Sequence, residues 1–122
     1  MVTRRGLLHR MDSTVAEGVF VDAAGAAHAS ATTRPFGVVV TSDFPAGWCT
    51  VALPGDPEEV QLKCHSTVGT VVKGTRLVMH TNGTVKADPG TGARVIVAEA
   101  LESAVNSQLV IARLLSNFEI AS

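Results

Sequence analysis

Thr75-Arg76-Leu77-Val78-Met79-His80, then Asn82-Gly83 after Thr81, then Thr84-Val85-Lys86-Ala87, is the stretch on which the fold turns. Two short β-prone runs flank an Asn-Gly pair, and that pair readily takes the two successive positive-φ positions of a type I′ turn. The stretch therefore reads as a β-hairpin. Asn82-Gly83-Thr84 also matches a glycosylation sequon, which at a hairpin tip in a chain without a secretory signal is turn chemistry.

Similar runs lie on both sides. Val60-Gln61-Leu62-Lys63-Cys64-His65 alternates strictly, so Val60, Leu62 and Cys64 face inward and Gln61, Lys63 and His65 outward. Residues 48–53 form a strand closed by Pro54-Gly55-Asp56-Pro57, and residues 36–41 form another, whose Val38-Val39-Val40 is apolar on both faces and so central. Residues 18–22 make a short strand ended by Ala24-Gly25, and Asp88-Pro89-Gly90-Thr91-Gly92 is a loop. Residues 94–100 and 109–115 are the last apolar segments. Between them, residues 98–112 satisfy two patterns. Ala98-Glu99-Ala100-Leu101-Glu102 consists of helix formers, whereas Val95-Ile96-Val97 and Val110-Ile111 favour strands joined by a bend.

The strands repeat as a unit. Glu17-Gly18 and Lys73-Gly74 each lead into a strand, a small-residue turn (Ala24-Gly25 or Asn82-Gly83) and a return ending at Ala29 or Ala87. Residues 35–40 then parallel 95–100, and residues 48–53 parallel 109–114. Two such halves pack naturally as one barrel or sandwich. The expected fold is mainly β: a compact small barrel or sandwich of two similar strand–turn–strand halves, with an extended N-terminal arm at residues 1–17 and a single β domain at 18–122.

The 122 residues suit one domain. Four Phe, one Trp and no Tyr leave the core to Val, Leu, Ile and Ala, which suits strands. A net charge of −1 gives no bulk attraction to nucleic acid and only weak self-repulsion, which favours association with protein. No apolar run approaches the roughly 20 residues that cross a bilayer. The opening residues return to charge at His9 and Arg10 before an apolar segment develops, so no secretory signal is expected and the chain reads as cytoplasmic at synthesis. Cys49 and Cys64 then read as free core thiols.

Chemistry-bearing motifs are absent. Pro89-Gly90-Thr91-Gly92 lacks the lysine and helix start of a phosphate cradle, and no nucleophile elbow, zinc-binding helix or Cys-x-x-Cys occurs. His9, His28, His65 and His80 stand singly. Cys64 and His65 are strand neighbours and point to opposite faces, which argues against a metal site with Cys49 and His80 and against a Cys–His nucleophile. No cofactor, metal or catalytic residue is expected. Trp48, after Phe44-Pro45-Ala46-Gly47, is a core lid or an interface anchor, and a lone Trp in a small chain more often packs inside.

Gly18-Val19-Phe20-Val21, Arg34-Pro35-Phe36-Gly37-Val38-Val39-Val40, Lys73-Gly74-Thr75-Arg76-Leu77-Val78, Asn82-Gly83-Thr84-Val85 and residues 94–102 together resemble the tailed-phage capsid decoration (cement) proteins. The resemblance spans about residues 17–115. The strand at Val95 lacks the glycine of Pro35-Phe36-Gly37, and the arm has no counterpart. The resemblance implies a β domain on the outer surface of the virion head, made in the host cytoplasm and often trimeric, that binds the major capsid protein and stabilises its lattice. It implies no enzyme activity, and favours strand–bend–strand for residues 98–112. On this reading Arg4, Arg5, Leu7, Leu8 and Arg10 of the arm contact the capsid or a neighbouring subunit, the arginines pairing with acidic loops while the leucines fill grooves. No nucleic-acid or membrane partner is expected. The alternatives are a small β-barrel nucleic-acid-binding protein and a tail or head-completion component.

Overall fold

The computed structural model describes residues 8–43, 47–65, 70–106 and 108–122. A first sheet contains β1 (Leu8–Asp12), β2 (Phe20–Val21), β3 (Gly37–Asp43) and β4 (Trp48–Ala52), in the order β1-β4-β3-β2. After β5 (Glu59–Lys63) and β6 (Thr70–Val71) come β7 (Arg76–Met79), β8 (Val85–Ala87), β9 (Arg94–Ala100), β10 (Ala104–Val105) and β11 (Leu109–Ala121). The second sheet runs β5-β11-β9-β7-β8, and β6 pairs with β10 alone. Every ladder is antiparallel. The structure is mainly β, as the alternation and turn residues predict.

The Asn82-Gly83 turn forms as expected. Asn82 has φ 58° and ψ 34°, Gly83 has φ 75°, and the His80 N–H donates to the Thr84 carbonyl at 2.8 Å. The tip is buried. The Gly83 N–H donates to the His28 carbonyl at 2.7 Å, and a Cβ on Gly83 would run into the Phe20 carbonyl and the Val19 side chain. The hairpin of the second sheet is thus seated against β2 of the first.

Gly18 ties the sheets at another corner. Its N–H donates to the Val39 carbonyl at 2.9 Å, and its own carbonyl accepts from Lys63 N–H at 2.8 Å. The second sheet curls until its outer strands approach one another, and they touch at an isolated bridge between Cys64 and Val85. The two sheets stack around one core in a sandwich-like arrangement. Phe20, Val38 and Ala52 of the first sheet meet Leu62, Leu77, Met79, Val85, Val95 and Val97 of the second. Phe20 and Phe118 cross edge to face there, with centroids 5.8 Å apart. On the outer face of the first sheet, Met11, Val21, Val39, Cys49 and Val51 form a second cluster beneath Val15, Phe36 and Leu53. The valine run at 38–40 is apolar on both faces because both faces are covered.

Within 98–112, β9 ends at Ala100, a bend follows at Leu101-Glu102, and the short β10 precedes the start of β11 at Leu109. β11 pairs Ala112 with Ala100 and Leu114 with Ala98. Ladder bonds to neighbours on both sides of β9 outweigh the helix propensity of Ala98-Glu99-Ala100. Of the residues expected as an arm, 8–12 form β1, in register with β4 from Leu8 opposite Ala52 to Asp12 opposite Trp48. Met11 and Ser13 are buried.

Candidate docking surface

β1 and β4 build an exposed polar and aromatic corner at one end of the first sheet. Trp48, Thr50 and Ala52 share one face of β4. Ala52 is fully buried in the main core, Thr50 is half-buried and Trp48 is 41% exposed, so this face emerges from beneath the second sheet towards Gly47. The single tryptophan is therefore not a core residue, contrary to the commoner expectation, because the covering sheet stops short of it. Arg10 lies opposite Thr50 on β1, on the same face, and its guanidinium carbon sits 5.1 Å from the centroid of the Trp48 ring. A cation–π contact this exposed stabilises by about 0.5–1 kcal/mol. That orients both side chains without hiding either.

β1 pairs with β4 on one side, and no strand among the described residues pairs with its other edge. An open edge offers a row of backbone donors and acceptors to another chain. Of the arm residues singled out above, Arg10 is brought to Trp48, Leu8 opens the β1 ladder opposite Ala52, and Arg4, Arg5 and Leu7 lie outside the described residues.

The strand-parity reading of Cys64 and His65 holds. Cys64 is buried in the main core and His65 is half-exposed on the opposite face. Cys49 belongs to the separate outer cluster. Burial pushes both thiols above their ordinary range. For Cys49 the neighbouring Ser13 hydroxyl opposes the rise and Asp12 adds to it, while Lys63 opposes the rise at Cys64. Burial thus favours the protonated form of both thiols. No group of three or more His, Cys, Asp or Glu side chains gathers as a metal site among the described residues.

Sequence spacing missed one pairing of histidines. His65, just beyond β5, and His80, at the end of β7, stack with ring centroids 3.9 Å apart and planes 28° from parallel. They meet where the outer strands of the curled sheet touch, beside the hydrogen bond from the His65 N–H to the Val85 carbonyl at 3.0 Å. His80 Nδ1 accepts from the Thr81 N–H at 2.8 Å. Burial lowers the basicity of His80, and the neighbouring His65 and Lys86 lower it further. His28 has a structural place, its Nε2 lying 2.9 Å from the Thr33 carbonyl and 3.0 Å from the Thr33 hydroxyl.

The glycine-rich segment 89–92 is a loop closed on itself. Asp88 Oδ1 accepts from the Gly90 N–H at 2.9 Å and stands 2.6 Å from Arg94 Nε, in an ion pair whose N–H is not aligned as a hydrogen bond. No protein-family model matches the chain, and no curated protein sequence matches it.

Proposed function

We propose that this chain is a non-enzymatic structural module that adds to the outer surface of a protein shell, as the tailed-phage capsid decoration proteins do, and that the β1 corner is its attachment edge. The observation that carries the proposal is the edge of β1, unpaired among the described residues, beside the exposed Arg10–Trp48 pair. Trp and Arg dominate interface hot spots, and an unpaired strand edge adds directional hydrogen bonds. The resemblance of residues 17–115 to the decoration proteins supplies the identity of the shell, and the near-neutral charge suits a protein partner.

The same reading takes the two halves as copies of one unit. β1-β4-β3-β2 and β5-β11-β9-β7 have the same order, with the first strand of each half beside the last and the third beside the second. The tip glycines Gly25 and Gly83 both have positive φ. Repetition across a lattice lets modest contacts stabilise the shell by mass action. Trp48→Ala tests the attachment edge, because the side chain contributes little to the core. Binding to expanded shells of the partner capsid protein is expected to weaken about tenfold, the scale of a lost interface aromatic, with the circular dichroism spectrum unchanged. Undiminished binding by Trp48→Ala and by Arg10→Glu removes this edge from consideration.

A further inference from the structure

A groove lies far from the β1 corner in sequence, over an irregularity in β11. Between Leu114, which pairs with Ala98, and Glu119, which pairs with Ile96, residues 115–118 of β11 stand against the single residue Val97 of β9. Bulges of this kind re-aim side chains and recur beside functional sites. The extruded segment is held from outside the sheet. The Leu115 carbonyl accepts from the Gly55 N–H at 2.8 Å, and the Phe118 carbonyl accepts from Arg34 Nε at 2.7 Å. The groove above it measures about 800 Å³ and is lined by Arg34, Arg76, Pro35, Pro54 and exposed Ile120, among others.

The two arginines differ in how they are held. Arg34 is fixed through Nε, which leaves its terminal nitrogens available, and these are the atoms that grip a carboxylate side-on or end-on. Arg76 Nη1 stands 3.9 Å from Glu119 Oε2, at the outer limit of an ion pair, with both side chains more than half exposed. A pair that long and that exposed contributes little and exchanges readily. Glu119 is the one carboxylate lining this groove among the described residues, and it stands as the present ligand of Arg76.

We infer that this groove is a binding site for an acidic peptide segment of a protein partner, one carboxylate bridging Arg34 and Arg76 in place of Glu119 while the adjoining chain lies along Pro35, Pro54 and Ile120. Extended peptides pack well on proline and isoleucine, and the charge complement is supplied by the two guanidinium groups. The inference stands independently of the shell-binding reading and of the β1 edge.

The test is a titration of the full chain with a fluorescein-labelled hexaglutamate peptide at low ionic strength, read by anisotropy, with hexaglutamine as the neutral control. Hexaglutamate binds, hexaglutamine does not, and added salt weakens the complex. Arg76→Gln lowers the affinity several-fold, and Glu119→Gln raises it by releasing Arg76. Arg34→Gln also frees the bulge, so Arg76→Gln and Glu119→Gln carry the decision. Backbone amide shifts at Ser116 and Asn117 move on titration. The site is refuted if wild type and Glu119→Gln both ignore hexaglutamate, or if Arg76→Gln and Glu119→Gln bind it as wild type does.

Discussion

Gly83 and His80 carry different loads in the same hairpin. Gly83 has φ +75°, and a Cβ there meets the Phe20 carbonyl, so Gly83→Ala combines left-handed backbone strain with a steric clash against a neighbouring strand. Strain and displacement together are expected to cost about 2–4 kcal/mol, measured as a drop in the urea midpoint. A loss under about 0.5 kcal/mol means that the tip does not seat against β2. His80 is less basic when folded than when unfolded, chiefly through burial and then through His65 and Lys86. The unfolded chain therefore binds the proton more readily. Stability is unaffected by His80 above its ordinary value of about 6.5 and falls as the pH drops through and below that value. His80→Gln is expected to flatten the fall between pH 7 and 5. An equal slope in the variant places the pH dependence elsewhere. The His65–His80 contact was not legible in the sequence, because the two become neighbours only when the second sheet curls.

Strands were read most reliably where their two faces differ. Residues 60–65 alternate, and Val60, Leu62 and Cys64 are indeed the buried set. The Asn-Gly hairpin was equally plain, since two positive-φ residues in succession leave few other turns open. Residues 98–112 were ambiguous because alanine, glutamate and leucine satisfy a helix locally, and only the ladders to β7 and β11 decide them. The widening of β11 at 115–118 had no local signal. It depends on Gly55 and Arg34, which approach from other parts of the chain. Within β1, Met11 is 7% exposed and packs with Val39, Cys49 and Val51. Met11→Asp places an unpaired carboxylate in that cluster and is expected to destabilise the fold by about 3 kcal/mol or more, read by urea unfolding. A stable Met11→Asp protein means that β1 detaches as a unit.

The whole molecule is held together by contacts between its two sheets. The Gly83 tip on the His28 carbonyl, Gly18 between Val39 and Lys63, and Phe20 against Phe118 all join residues of the first sheet to the second. Such contacts explain why a scarcity of aromatic residues does not prevent a core: valine, alanine and leucine from both sheets fill it, with one aromatic pair between them. The duplication belongs to the proposal: β1 and β5 precede the stretches that look alike and bear no likeness to each other, and the second sheet carries a fifth strand, β8. Attachment to a shell is the central claim, and sedimentation tests it most directly. The intact chain is mixed with expanded, empty shells of the major capsid protein that the proposal names as its partner, then centrifuged over a range of concentrations. Saturable co-sedimentation at a fixed ratio to capsid subunits, with more heat-resistant shells, is the expected result. Shells that sediment without the chain at every concentration, and melt at the same temperature with and without it, contradict the claim.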